Sequence, residues 1–128
     1  MEKLPQITDA ELEVMNVIWQ HAPICTGDIA LLLAKKTNWS PKTVHTLLIR
    51  LTNKKAVIHE KEGRTFVYRP LIDRKDYLKQ ESNAFLDRFF DGSLSQLVSA
   101  FAECDQLSAK EAEALKAILD QAAKKEEL

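Results

Sequence analysis

Glycine and proline are scarce in this chain of 128 residues, which holds three of the first and four of the second. So little punctuation predicts long regular elements, and three glycines cannot build a loop that cradles phosphate. Cys25 and Cys104 are the only cysteines, too few for a disulfide framework and in neither CxxC nor CxC spacing. A reducing cytoplasm is therefore the expected compartment. The longest apolar run, Ile29 to Ala34, is six residues, far short of the ~20 that cross a bilayer. The opening MEKLPQITDAE lacks the apolar segment of a secretory signal. Neither membrane insertion nor export is expected. His21, His45 and His59 have no i, i+4 partner to make a metal pair on a helix. Serines, histidines and carboxylates are scattered, so no enzyme, metal site or cofactor is expected.

What is present is the composition of a folded protein, with 45% hydrophobic and 29% charged residues. The length suits one or two small domains. A formal net charge of -1 hides a sharp asymmetry. Residues 1–75 hold 12 basic and 8 acidic side chains, a net of +4, whereas residues 76–128 hold 6 and 11, a net of -5. Within 35–75 the count is 11 to 3, or +8. Such an imbalance points to a polyanion as partner of one half only.

Thr8-Asp9-Ala10-Glu11 reads as a capping box, and Leu12, Met15, Ile18 and Trp19 then recur at helical spacing. After a break at 21–25, Thr26 caps a second helix through Lys36. Ser40-Pro41 places an N-cap before a proline at the first helical position, starting a third helix that runs to about Lys54. Val57 to Lys61 and Arg64 to Arg69 read as two strands joined across Glu62-Gly63. Helices resume near Asp73, near Leu94 and, behind a second capping box at Ser108-Ala109-Lys110-Glu111, near the end. The expected fold is mainly α with a small β hairpin: an N-terminal winged helix-turn-helix over 1–72, followed by a three-helix dimerisation domain over 73–128.

The third helix carries the function. Val44, Leu47, Leu48 and Leu51 fall in one apolar sector, while Lys42, Thr43, His45, Thr46, Ile49 and Arg50 fall opposite. No acidic residue lies between Asp28 and Glu60, a gap of 31 residues. A helix lying against phosphates requires that gap, because each carboxylate there would be repelled. Arg50 suits a guanine edge, and Thr43, Thr46 and Ile49 suit thymine methyls or phosphates. Lys61 and Arg64 at the hairpin tip, with Lys54 and Lys55 just before the hairpin, suit the adjacent DNA backbone. Phe66 and Tyr68 share a strand face and are expected to pack the wing on the core. The alternative is a solvated basic face on a winged helix that binds protein instead of DNA.

Trp39-Ser40-Pro41-Lys42-Thr43-Val44, the opening Ile7-Thr8-Asp9-Ala10-Glu11-Leu12-Glu13-Val14-Met15, and Gly63-Arg64-Thr65-Phe66-Val67-Tyr68 together resemble the BlaI/MecI penicillinase-repressor family. The similarity runs from Ile7 to Leu119. It implies a homodimeric winged-helix repressor on an inverted-repeat DNA operator, with antibiotic resistance as its setting. Base-reading positions carry over to Thr43, Thr46 and Arg50, with Lys42 and the wing near phosphates and Ser40 and His45 on the same face. It also implies a switch, in which the protease of a membrane sensor leads to cleavage of an Asn-Phe bond. The matching bond here is Ala100-Phe101, with alanine in place of asparagine. A sibling branch answers copper through a cysteine-rich C-terminus, and the lone Cys104 predicts no such site.

The acidic half carries a heavy apolar load for its length: Leu78, Phe85, Leu86 and Phe89, then Leu94, Leu97, Val98 and Phe101, then Leu115, Ile118 and Leu119. A segment of about 53 residues is too short to form a stable core alone, so these side chains are expected to pack against a second copy. The other arrangement is packing onto the winged domain of the same chain.

Overall fold

The structure, a computed structural model, describes residues 3–126. In chain order it contains α1 (Asp9–His21), β1 (Ile24–Cys25), α2 (Thr26–Ala34), α3 (Pro41–Asn53), β2 (Val57–Glu62), β3 (Thr65–Pro70), α4 (Arg74–Phe90), α5 (Leu94–Glu103) and α6 (Ala109–Glu126). The chain divides into two compact units between Gln80 and Glu81.

The first unit is a winged helix. The Thr8 hydroxyl accepts from the Glu11 amide at 3.2 Å, and the Glu11 carboxylate accepts from the Thr8 amide at 2.9 Å, so both halves of the capping box form. Ser40 caps α3 by accepting from the Thr43 amide at 3.3 Å, with Pro41 in the first turn. Val14, Met15 and Ile18 of α1, Ile29 and Leu33 of α2, and Val44, Leu48 and Leu51 of α3 meet in one core at 0–1% exposure. Burial of these side chains from three helices is the main term holding α3 in place.

β2 and β3 pair antiparallel from Val57 opposite Pro70 to Glu62 opposite Thr65. The two-residue turn is therefore Gly63-Arg64, one residue later than the sequence suggests. Gly63 takes φ +62°, the backbone that such a turn favours in glycine. A third strand was not legible: β1, inside the expected break, pairs Ile24 with Tyr68 and Cys25 with Val67. Two residues are too few to show a period-2 pattern. α2 begins at Thr26 itself, with Cys25 as N-cap making no side-chain bond, and ends at Ala34.

The first unit extends past residue 72 into α4. Tyr77 is buried with its ring centroid 6.0 Å from that of Trp19. Gln80 brackets Leu4, accepting from its amide at 2.8 Å and donating to its carbonyl at 3.3 Å. Trp19 donates to the Ile72 carbonyl at 3.0 Å.

The second unit is helical. Asp91 (φ 49°) and Gly92 (φ 78°) turn the chain between α4 and α5 in left-handed conformations. Ser93 caps α5 on the Gln96 amide at 3.2 Å, and Ser108 caps α6 on the Glu111 amide at 3.1 Å. No described residue from Glu81 onward is buried. Phe85, Phe89, Leu94, Phe101, Ile118 and Leu119 are all exposed, between 47% and 62%; Leu86, Leu97, Val98 and Leu115 are half-buried. Leu78, on the stretch of α4 within the first unit, is 41% exposed. Among the described residues, no helix is long and apolar enough to cross a membrane.

Candidate nucleic-acid interface

α3 separates its two faces cleanly. Val44, Leu47, Leu48 and Leu51 are at most 4% exposed, and Lys42, Thr43, His45, Thr46, Ile49 and Arg50 all face solvent. The buried stripe fixes the helix and thereby the direction of the outer face. Thr43, Thr46 and Arg50 stand at i, i+3 and i+7, one stripe on the helix surface. At 1.5 Å per residue they span about 10.5 Å, close to three base-pair steps of ~3.4 Å.

The polar groups on this face differ in what they can offer. The Thr46 hydroxyl donates to the Lys42 carbonyl at 3.1 Å, so its one proton is committed to the helix and it can offer a ligand only acceptor capacity and its methyl. The Thr43 and Ser40 hydroxyls lie 3.2 Å apart, in a hydrogen bond between the helix cap and its first turn in which either can donate. The side chains of Lys42 and Arg50 make no hydrogen bond or ion pair among the described residues, nor do those of Lys61 and Arg64 at the wing tip. Two other cations of this unit pair with carboxylates of the same unit: Lys36 meets Glu13 at 3.7 Å and Arg69 meets Glu60 at 4.0 Å. Uncommitted cations beside an acid-free helix face form a phosphate-attracting surface.

Lys54 has partners within the fold. Its ammonium turns inward, donating to the Glu11 carboxylate at 2.5 Å and to the Gln6 carbonyl at 2.7 Å. Glu11 is only 1% exposed and requires a counter-charge, which the partly exposed Lys54 supplies. Burial raises the Glu11 pKa, but the Lys54 ammonium and the Thr8 hydrogen bonds outweigh it and hold the carboxyl below its ordinary value.

Phe66 departs from expectation. Tyr68 is buried, its phenol pushed up by desolvation, but Phe66 is 43% exposed because it sits two residues nearer the wing tip, beyond the core. His59, on β2, lies with its ring centroid 5.2 Å from both Phe66 and Tyr68. These three rings and His45, Ile49, Thr52 and Asn53 of α3 line an open cleft of about 320 Å³ between helix and wing. His59 was not singled out as an interface residue. Its signal was the alternation Val57, His59, Lys61, which puts it on one strand face. Among the described residues no group of three or more histidine, cysteine or acidic side chains could hold a metal ion.

The family model described as penicillinase repressor matches residues 7–121. The chain is 51% identical over 121 residues to the penicillinase repressor of Bacillus licheniformis, covering 94% of each. It is 34% identical over 118 residues to the methicillin resistance regulatory protein MecI of Staphylococcus aureus, covering 92% of this chain and 96% of that one. Among solved structures it resembles the DNA-binding domain of the repressor BlaI, with a TM-score of 0.54 and 57% identity, covering 60% of this chain and 94% of that one. It also resembles the Bacillus licheniformis BlaI monomeric form in complex with the blaP half-operator, with a TM-score of 0.53, 57% identity and the same coverage. By family model, by near full-length relatives and by likeness to solved structures at 57% identity, the chain belongs to the BlaI/MecI family of penicillinase repressors.

Proposed function

We propose that this protein is a sequence-specific DNA-binding transcriptional repressor. The observation that carries the reading is the outer face of α3: exposed, free of acidic residues, and bearing Lys42, Thr43, Thr46 and Arg50 on a helix fixed by its buried stripe. A relative captured on a half-operator supports it. In this reading Thr43, Thr46 and Arg50 meet base edges in the major groove. Ser40, Lys42, His45, Lys61 and Arg64 meet the backbone and set the register. The chemistry is binding; no residue is given a catalytic role, and the compartment is the cytoplasm, where the DNA lies.

The repressor works as a homodimer on an inverted repeat, with the winged helix reading each half-site and the helices after residue 72 joining the copies. The exposed Phe85, Phe89 and Phe101, on a unit with no buried core of its own, support this part. The proteolytic switch at Ala100-Phe101 would have to open a helix, since both residues lie inside α5. Cleavage there would separate α6 from the rest and weaken the dimer, and with it the joint action of two half-sites.

An electrophoretic mobility shift with the region upstream of the protein's own gene, against a scrambled duplex, tests the reading. A sequence-selective shift at moderate salt is expected. Retention on random DNA that does not change with salt indicates instead a winged helix that binds protein.

A further inference from the structure

The Glu11–Lys54 pair is more than a neutralised charge. Lys54 is the C-cap of α3, and the chain turns immediately afterwards through Lys55 at φ 61° into β2. The Ala56 amide returns to the Leu51 carbonyl at 3.0 Å, and the Ala56 carbonyl accepts from the Leu71 amide at 2.8 Å at the base of the wing. Lys54 therefore sits at the joint between recognition helix and wing. Its two described bonds reach across the unit, to Gln6 just before α1 and to Glu11 in the first turn of α1. The Glu11 oxygen that accepts from Lys54 also accepts from the Thr8 amide, so the carboxylate ties the start of one helix to the end of the other.

The apolar stripe of α3 holds the helix in the core, but apolar contacts have little directional preference and tolerate a few degrees of roll or slide. The Glu11–Lys54 contact joins a buried carboxylate to a partly exposed ammonium, and when either end moves by about an ångström the Glu11 charge loses its partner in a poorly solvated place. It is the directional element in the α1–α3 contact.

We propose that Lys54 and Glu11 are positioning residues for DNA reading, their ion pair setting the angle at which α3 presents Thr43, Thr46 and Arg50. This rests on the DNA-binding reading above. Neither residue touches DNA in this account, and the Lys54 charge, already matched by Glu11, adds nothing to the salt dependence of binding.

The test uses the full chain and a duplex selected by it from a random pool, with a scrambled duplex beside it. Glu11→Gln should lower affinity for the selected duplex roughly tenfold, as mutations that disturb a site without contacting the ligand can. It should leave the scrambled duplex and the salt slope unchanged. Lys54→Met should give the same loss, the double variant no more, and Lys54→Arg should restore selectivity. Thr8→Ala, which weakens the cap of α1 but keeps the ion pair, controls for lost stability and should retain selectivity. If Lys54 instead contacts phosphate, Glu11→Gln releases its charge, binding to both duplexes tightens and the salt slope steepens; that result overturns the proposal. Should Glu11→Gln fail to fold, Lys54→Met against Lys54→Arg decides, and equal selectivity in the two overturns it. A wild-type protein with no preference between duplexes refutes the DNA reading alone. Residual dipolar couplings of α3 without DNA then decide the positioning claim, which predicts a changed helix orientation in Lys54→Met and is overturned by an unchanged one.

Discussion

Replacing Arg50 by alanine separates reading of sequence from attraction to phosphate. The side chain is exposed on α3 and has no hydrogen bond or ion pair to lose among the described residues. Alanine is also a good helix former, so the unfolding free energy should change by no more than about 0.5 kcal/mol. What is lost lies in the complex. A bidentate arginine–guanine contact discriminates by about 1–3 kcal/mol, so affinity for a half-site should fall by about 5- to 150-fold. On a full inverted repeat a dimer loses two such contacts, and the free-energy loss should approach twice as much. Fluorescence anisotropy with half-site and scrambled duplexes at matched salt measures both quantities. The scrambled duplex should respond far less than the half-site. An equal loss on both would make Arg50 a phosphate contact, and no loss on either would remove α3 from the interface.

Other outcomes follow from the same geometry. Leu48→Ala empties a fully buried position beneath the reading face and should cost about 2–5 kcal/mol in urea unfolding. Because the folded-state pKa of Glu11 is lowered, its contribution is fully present above the ordinary carboxylate value and is lost as pH falls through the folded value. The urea midpoint should therefore decline below about pH 5, and Glu11→Gln should show a smaller decline over that range. Phe89→Asp, at an exposed apolar position of α4, should weaken self-association by at least about 30-fold in sedimentation equilibrium and leave the melting of the first unit unchanged. A dimer that survives it would shift the interface elsewhere.

The features legible in the sequence are those whose cause is local. Ser40-Pro41 and Thr8 with Glu11 announce helix starts because cap and amide lie within three residues of each other. The apolar stripe of α3 and its acid-free outer face are matters of period and composition, readable without a partner. The ion pair of Lys54 was not legible because its partner lies 43 residues away in Glu11, which the sequence shows only as a capping residue. β1 escaped notice because its strand character comes from pairing with Tyr68 and Val67, not from its own two residues. Phe66 and Tyr68 alternate identically, and only the depth of the core under each separates a half-exposed ring from a buried one. The cleft between His45 and His59 likewise exists only once helix and wing are folded together.

On the proposed reading, the outer face of α3 and the wing tip meet DNA. Amide chemical-shift mapping of the full chain, titrated with a duplex it has selected from a random pool, tests it most directly. Shifts should concentrate from Ser40 to Arg50 and from Lys61 to Thr65, with the scrambled duplex affecting only the backbone-contacting subset. Shifts centred on α1, α5 or α6, with α3 unmoved, would contradict it.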